Sequence, residues 1–133
     1  MNPLSLFGRH RNLAISSIAI PQLMEGVQSL EVVRIEGSES LDVGAAPIFE
    51  YKVLLKTPAQ LQHIPPQVLL QSFDLGAMIG KQATLHIALD DIRMAGFSQI
   101  REITGVIATA QFKRVAERAL HFELIGVTTE NGL

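Results

Sequence analysis

Four histidines, an adjacent pair of aspartates and eight serines are the side chains in this chain most able to do chemistry. His10, His63, His86 and His121 fall on four separate stretches. None has the helical i, i+4 spacing or the close pairing that lets imidazoles share a metal. His86 and His121 take the outward register of the strands that carry them and are expected at solvent or at an interface. Asp90 and Asp91 offer two carboxylates for acid–base or metal work, but neighbouring acids at the end of a strand are also the composition of a turn. The serines include no G-x-S-x-G elbow. The glycines form neither G-x-G-x-x-G nor G-x-x-x-x-G-K-[ST], so no phosphate cradle is written into the chain. With no cysteine, thiolate metal sites and disulfide scaffolds are excluded. The expectation is a protein without catalytic residues, cofactor or metal.

The elements that position these residues read as strands. Residues 97–127 form the organising stretch: two long strands, 100–112 and 119–127, joined by a polar connection over 113–118. In the second, Leu120, Phe122 and Leu124 alternate with His121 and Glu123, the period of a strand with one buried face. The first is apolar on both sides of Gly105, with Ile103 and Ile107 on one face and Val106 and Ala108 on the other. A strand apolar on both faces is expected to have protein on both faces. Gly105 in its middle predicts a bend or a close approach of backbone.

Earlier in the chain, residues 13–20 read as a first strand, stopped by Pro21. Residues 30–36 read as a second, with Val33 and Ile35 on one face and Gly37-Ser38 ending it. Residues 48–56 give the cleanest alternation: Phe49, Tyr51, Val53 and Leu55 inward, Glu50, Lys52 and Lys56 outward. Pro65-Pro66 predicts a short helix over 67–73 with proline at its start. Asp74 is a suitable N-cap for a second helical segment, 75–79, and Gly80 suits the left-handed residue beyond it. A strand over 82–89 follows, with Ala83, Leu85, Ile87 and Leu89 inward. Residues 93–98 read as an exposed loop. The fold class is therefore mainly β: an antiparallel barrel of about six to eight strands, with one or two short helices before the strand at 82–89. The whole of 1–133 reads as a single domain.

Composition narrows the function classes. The net charge is −2, with one tyrosine and no tryptophan, which gives no basic face with stacking aromatics for nucleic acid. No run reaches the roughly 18 apolar residues of a membrane helix. Arg9-His10-Arg11 before 13–20 mimics a signal peptide, but Ser16 and Ser17 interrupt a short apolar run that lacks a cleavage site, so a strand is the better reading. Charged residues are only 18% of the chain, against about 25% in a typical soluble domain. Either the core is well filled or another chain covers part of the surface. Arg9-His10-Arg11 and Lys113-Arg114 are small basic spots suited to solvent or to an ionic partner contact.

Five stretches in order resemble one family. The run 29–41, SLEVVRIEGSESL, followed by IFEYKVLLK at 48–56, is similar to the opening of VgrG, the type VI secretion spike protein related to baseplate hubs of contractile phages. In that family a small turn and a Glu-x-Leu-like element lead into an F-x-Y-x-hydrophobic strand, here Glu39-Ser40-Leu41 and then Phe49, Tyr51 and Val53. DLGAMIGKQATLHIAL at 74–89 looks like the family's short helix, Leu-Gly and strand, with Gly80 as the turn glycine. ITGVIATA at 103–110 and ALHFELIGV at 119–127 resemble its paired closing strands. Ile103 stands where the family often has an aromatic, and the loop 42–47 is long for it.

The resemblance covers about residues 13–127 and implies the first N-terminal barrel of a longer spike protein. It implies a structural role in the spike base: trimeric chains, each with two like barrels, matching a hexameric tube protein. It implies residence in the cytoplasm before firing and translocation with the apparatus afterwards, without stable membrane insertion by this domain. Gly80, Gly105, Phe49, Tyr51 and Val53 are then structural positions, and Val106, Ala108 and Ile125 are candidate contacts to a neighbouring barrel. The alternatives are a small ligand-binding or enzymatic barrel, whose mark would be inward polar residues, and an oligonucleotide-binding barrel.

Overall fold

The computed structural model describes the backbone of residues 13–40, 48–90 and 98–128 and the side chains of 13–37, 50–88 and 102–128. Six antiparallel strands form one sheet that curls into a nearly closed barrel: β1 (Leu13–Ser16), β2 (Glu31–Ser40), β3 (Ile48–Lys56), β4 (Gln82–Asp90), β5 (Ser98–Ala116) and β6 (Ala119–Thr128). Their spatial order is β1-β4-β5-β6-β3-β2. The two outermost strands, β1 and β2, come close to each other across a seam, without backbone pairing among the described residues.

Between β3 and β4 lie a 3-10 turn (Ala59–Leu61), α1 (Pro66–Gln71) and α2 (Leu75–Met78). Pro66 occupies the first helical position of α1, where a missing N–H costs nothing. Asp74 caps α2, its Oδ1 accepting from the Ala77 amide at 3.0 Å. Gly80 follows with φ +86°, the left-handed residue that turns the chain into β4. Leu61, Leu69, Phe73 and Met78 from these segments are buried in one cluster with Leu55, Leu120 and Phe122. Phe122 packs between Phe73 and Phe112, with ring centroids 5.0 and 5.8 Å away.

Four boundaries differ from the sequence expectation, each for a local reason. β1 ends at Ser16 rather than at residue 20. The Ser17 hydroxyl donates to the Gln82 carbonyl at 2.6 Å and accepts from the Ala19 amide, and the Ile20 amide bonds back to the Ser17 carbonyl. That local bonding competes with a ladder. β2 runs through Gly37 to Ser40 instead of stopping there, because Gly37 pairs with Tyr51 and lies against its ring: a Cβ at Gly37 would sit 3.1 Å from Tyr51 Cε1. A bulge between Val32 and Arg34 also inserts one residue, so Val32 is buried, Val33 is 44% exposed, and Ile35 packs against the core. Val33 and Ile35 therefore do not share a face.

The third difference lies in the β5–β6 hairpin. Its connection is two residues, Glu117 and Arg118, not six, and β5 pairs with β6 as far as Ala116↔Ala119. Both turn residues have positive φ, 51° and 62°, the backbone of a tight hairpin turn that matches strand twist. Lastly, Asp90 is the final residue of β4, paired with Ser98, rather than part of a turn. Asp91 and the expected loop over 93–97 lie outside the described residues, as do His10, Arg9, Arg11 and the loop 42–47.

Candidate functional site

The residues that come closest to a catalytic arrangement are ones the sequence reading treated as solvated or inert. β1, β4 and β5 lie side by side, with Ala14 opposite His86 and His86 opposite Glu102. The pleat then sets Ser16, His86 and Glu102 in one row on the outer face of the sheet. Ser16 Oγ is 3.0 Å from His86 Nε2, and His86 Nδ1 is 3.4 Å from Glu102 Oε1. His86 is not solvated as expected: it is only 7% exposed, flanked by buried Ala14 and Ala88. The seryl, imidazole and carboxylate are the right types in the right order for a nucleophile, its base and an orienting acid.

The row falls short of that chemistry in its second contact. Nδ1 is buried without a hydrogen bond that meets ordinary geometry, so the carboxylate does not hold the ring as an orienting group must. One residue pair along, the same face continues as Thr84–Thr104, hydroxyls 2.9 Å apart. This is a cross-strand polar ladder. A groove of about 470 Å³ adjoins it, lined partly by Ile15, Ser16, Ser17, Ile20, Pro21 and Ser29. Its hydroxyls are already engaged: Ser16 with His86, Ser17 with the Gln82 carbonyl, and Ser29 donating to the Pro21 carbonyl. Ligand sites instead converge free polar groups on one point.

The barrel-interior cavity lined by Ile15, Val53, Leu85, Ile103, Ile107 and Leu124 among other described residues measures about 30 Å³, too small for a ligand. Small-molecule pockets run to roughly 300–1,000 Å³. Among the described residues, no group of three or more His, Asp or Glu is placed to hold a metal ion. His63 is exposed, its Nδ1 3.0 Å from the Gln60 carbonyl, and His121 is half-buried on β6.

The remaining candidate is the outer face of β5 and β6. Ile103 and Ile107 point into the core while Val106 and Ala108 are on the opposite face, as the alternation predicted, but they are exposed, and the protein expected over that second face is not found among the described residues. Val106 is 47% exposed and pairs with Val127. Ile125, two residues along β6 on the same face, is half-buried and pairs with Thr109. A bulge between Ile107 and Thr109 makes Ala108 the extra residue. So Val106, Ala108 and Ile125 are brought together, with Val127 as a fourth member that the sequence reading omitted. Glu50 and Lys52 on β3, opposite Val127 and Ile125, supply charged flanks.

Gly105 holds this face together from behind. A Cβ there would lie 2.8 Å from the Val127 carbonyl oxygen, so β5 and β6 approach closely only because the residue has none. Val53 is buried, paired with Ile35 and Leu124, and Tyr51 packs partly against the core. The Phe49 backbone pairs with Glu39 and Thr128, while its side chain lies outside the described ones. Among the described residues no helix is long and apolar enough to cross a membrane. No protein-family model matches the chain, and no curated protein matches it.

Proposed function

We propose that the chain is a structural barrel of a contractile injection apparatus, part of the spike base that docks on the hexameric tube of a type VI secretion system or phage tail. The observation that carries this reading is the apolar outer patch of Val106, Ala108, Ile125 and Val127 on a sheet whose inner face is already a filled core. A barrel satisfied from within has no use of its own for such a patch, and a neighbouring chain covers it. Symmetry supplies the neighbour: two like barrels in each of three chains present six similar faces to a six-fold ring. In this role the domain is not an enzyme, needs no cofactor, does not insert stably in a membrane, and works in the cytoplasm until it is translocated with the apparatus.

Sedimentation over a wide concentration range, with and without a cognate hexameric tube protein, tests the proposal. The expected result is weak self-association that strengthens with the tube protein and weakens when Val106 and Ile125 are replaced by lysine. A monomer that ignores the tube at high micromolar concentration would overturn it.

A further inference from the structure

β5 is far longer than the strand beside it. β4 pairs with β5 from Asp90↔Ser98 up to Gln82↔Val106. Gly80 and Lys81 add one more step: the Gly80 amide donates to the Ile107 carbonyl, and the Ile107 amide to the Lys81 carbonyl, both at 2.8 Å. Beyond this point the left-handed Gly80 turns the preceding chain out of the ladder, with α2 remaining beside β5. Residues 108–116 are therefore bonded to β6 alone, and their other edge has no backbone partner among the described residues. All of them except Ala110 and Ala116 have exposed side chains.

The two faces along this edge differ. Ala110, Phe112 and Val115 are opposite the buried Leu124, Phe122 and Leu120 and continue the apolar face outward, with Val115 48% exposed. Thr109, Gln111 and Arg114 are on the other face, opposite Ile125, Glu123 and His121. The overhang and its turn carry Lys113, Arg114 and Arg118 against Glu117, a basic excess on a chain whose net charge is −2. Lys113 reaches Glu123 only loosely, at 3.8 Å, and Arg114 and Arg118 have no carboxylate partner among the described residues.

We infer that this edge takes up a short extended strand from a different protein, adding it to the sheet, and that the strand alternates apolar with acidic residues. An open edge supplies main-chain hydrogen bonds to any strand, and the side chains on its two faces select which one. Apolar residues of the incoming strand lie beside Phe112 and Val115, and its acids meet Arg114 on the opposite face. A second copy of the same edge is disfavoured, because antiparallel self-pairing sets Lys113 and Arg114 against the same cations. Basic residues and bulges are common guards against indiscriminate edge pairing, and both are present, with bulges at 107–109 and 112–114. The inference stands apart from the spike-base proposal, which concerns the outer face.

The test uses the full chain and two capped peptides, one alternating valine with glutamate and one alternating valine with lysine. Amide hydrogen exchange should slow over 109–116 with the acidic peptide and stay unchanged with the basic one. Arg114→Glu should weaken the acidic peptide about fivefold or more and favour the basic one, while Arg114→Gln falls between. Unchanged exchange at saturating acidic peptide would overturn the inference. So would equal binding of both peptides, and so would protection of the same amides by raising the protein concentration alone.

Discussion

Val53 and the two special glycines test the core residue by residue. Val53 sits on a strand whose neighbours alternate with charge, and it is buried between Ile35 and Leu124. Val53→Asp places a carboxylate in the buried core, and a loss of about 3 kcal/mol or more in urea unfolding is expected. Gly105 and Gly80 fail for different reasons when given a side chain. At Gly105 a valine meets the Val127 carbonyl, and overpacking should cost about 2 kcal/mol. At Gly80 there is open space, so the cost of valine is conformational, about 1 kcal/mol or more. Gly80→Asn should recover part of that loss, because asparagine tolerates positive φ, while Gly105→Asn should not. Unfolding midpoints of the four variants separate the two mechanisms. At Ser16 the expectation is inertness: a serine-reactive fluorophosphonate should leave it unlabelled, since the imidazole beside it lacks an orienting hydrogen bond. Stoichiometric labelling read by mass spectrometry would restore a hydrolase.

At the scale of elements, the β5–β6 turn is the clearest place to gain stability. Arg118 sits at φ 62° in a turn that favours glycine at that position. Arg118→Gly should raise stability by about 1 kcal/mol in thermal or urea unfolding. Local periodicity made much of this level legible. The strand at 48–56, the two short helices, the Asp74 cap and Gly80 all announce themselves within a few residues, because propensity and capping are local forces. The β5 overhang was not legible. Lys113 and Arg114 look like loop residues, yet they are at an exposed edge where polar side chains cost a strand nothing. The bulges at Val33 and at 107–109 were also invisible, since a period of two carries no mark of an inserted residue.

The whole molecule adds pairings that no local pattern holds. Hairpins β2–β3, β4–β5 and β5–β6 join neighbours in sequence, but β1–β4 and β3–β6 join segments about 70 residues apart, as with Leu55↔Phe122 and Ala14↔His86. The Ser16–His86–Glu102 row exists only because β1 finds β4, which is why His86 read as solvated when it is buried. The outer patch was legible in part, since Val106 and Ala108 belong to one strand, whereas Val127 joins them only through register. At this scale the expected outcome is association through that patch. Replacing Val106 and Ile125 by lysine should abolish concentration-dependent sedimentation while leaving the unfolding midpoint within about 0.5 kcal/mol of its original value.

The seam between β1 and β2 gives the barrel an uneven resistance to being pulled apart. β1 is paired with β4 through four residue pairs, whereas β6 has long ladders on both flanks and β5 is paired on both flanks as far as Ile107. A load applied at Leu13 meets that short ladder first and can peel β1 away before the longer ladders give. A load applied across β5 and β6 must break many bonds together. This makes β1 a compliant element and the long hairpin a stiff strut. Single-molecule pulling should show a small early release of β1 before the main rupture, and a tether between residues 16 and 84 should remove the first event and leave the second.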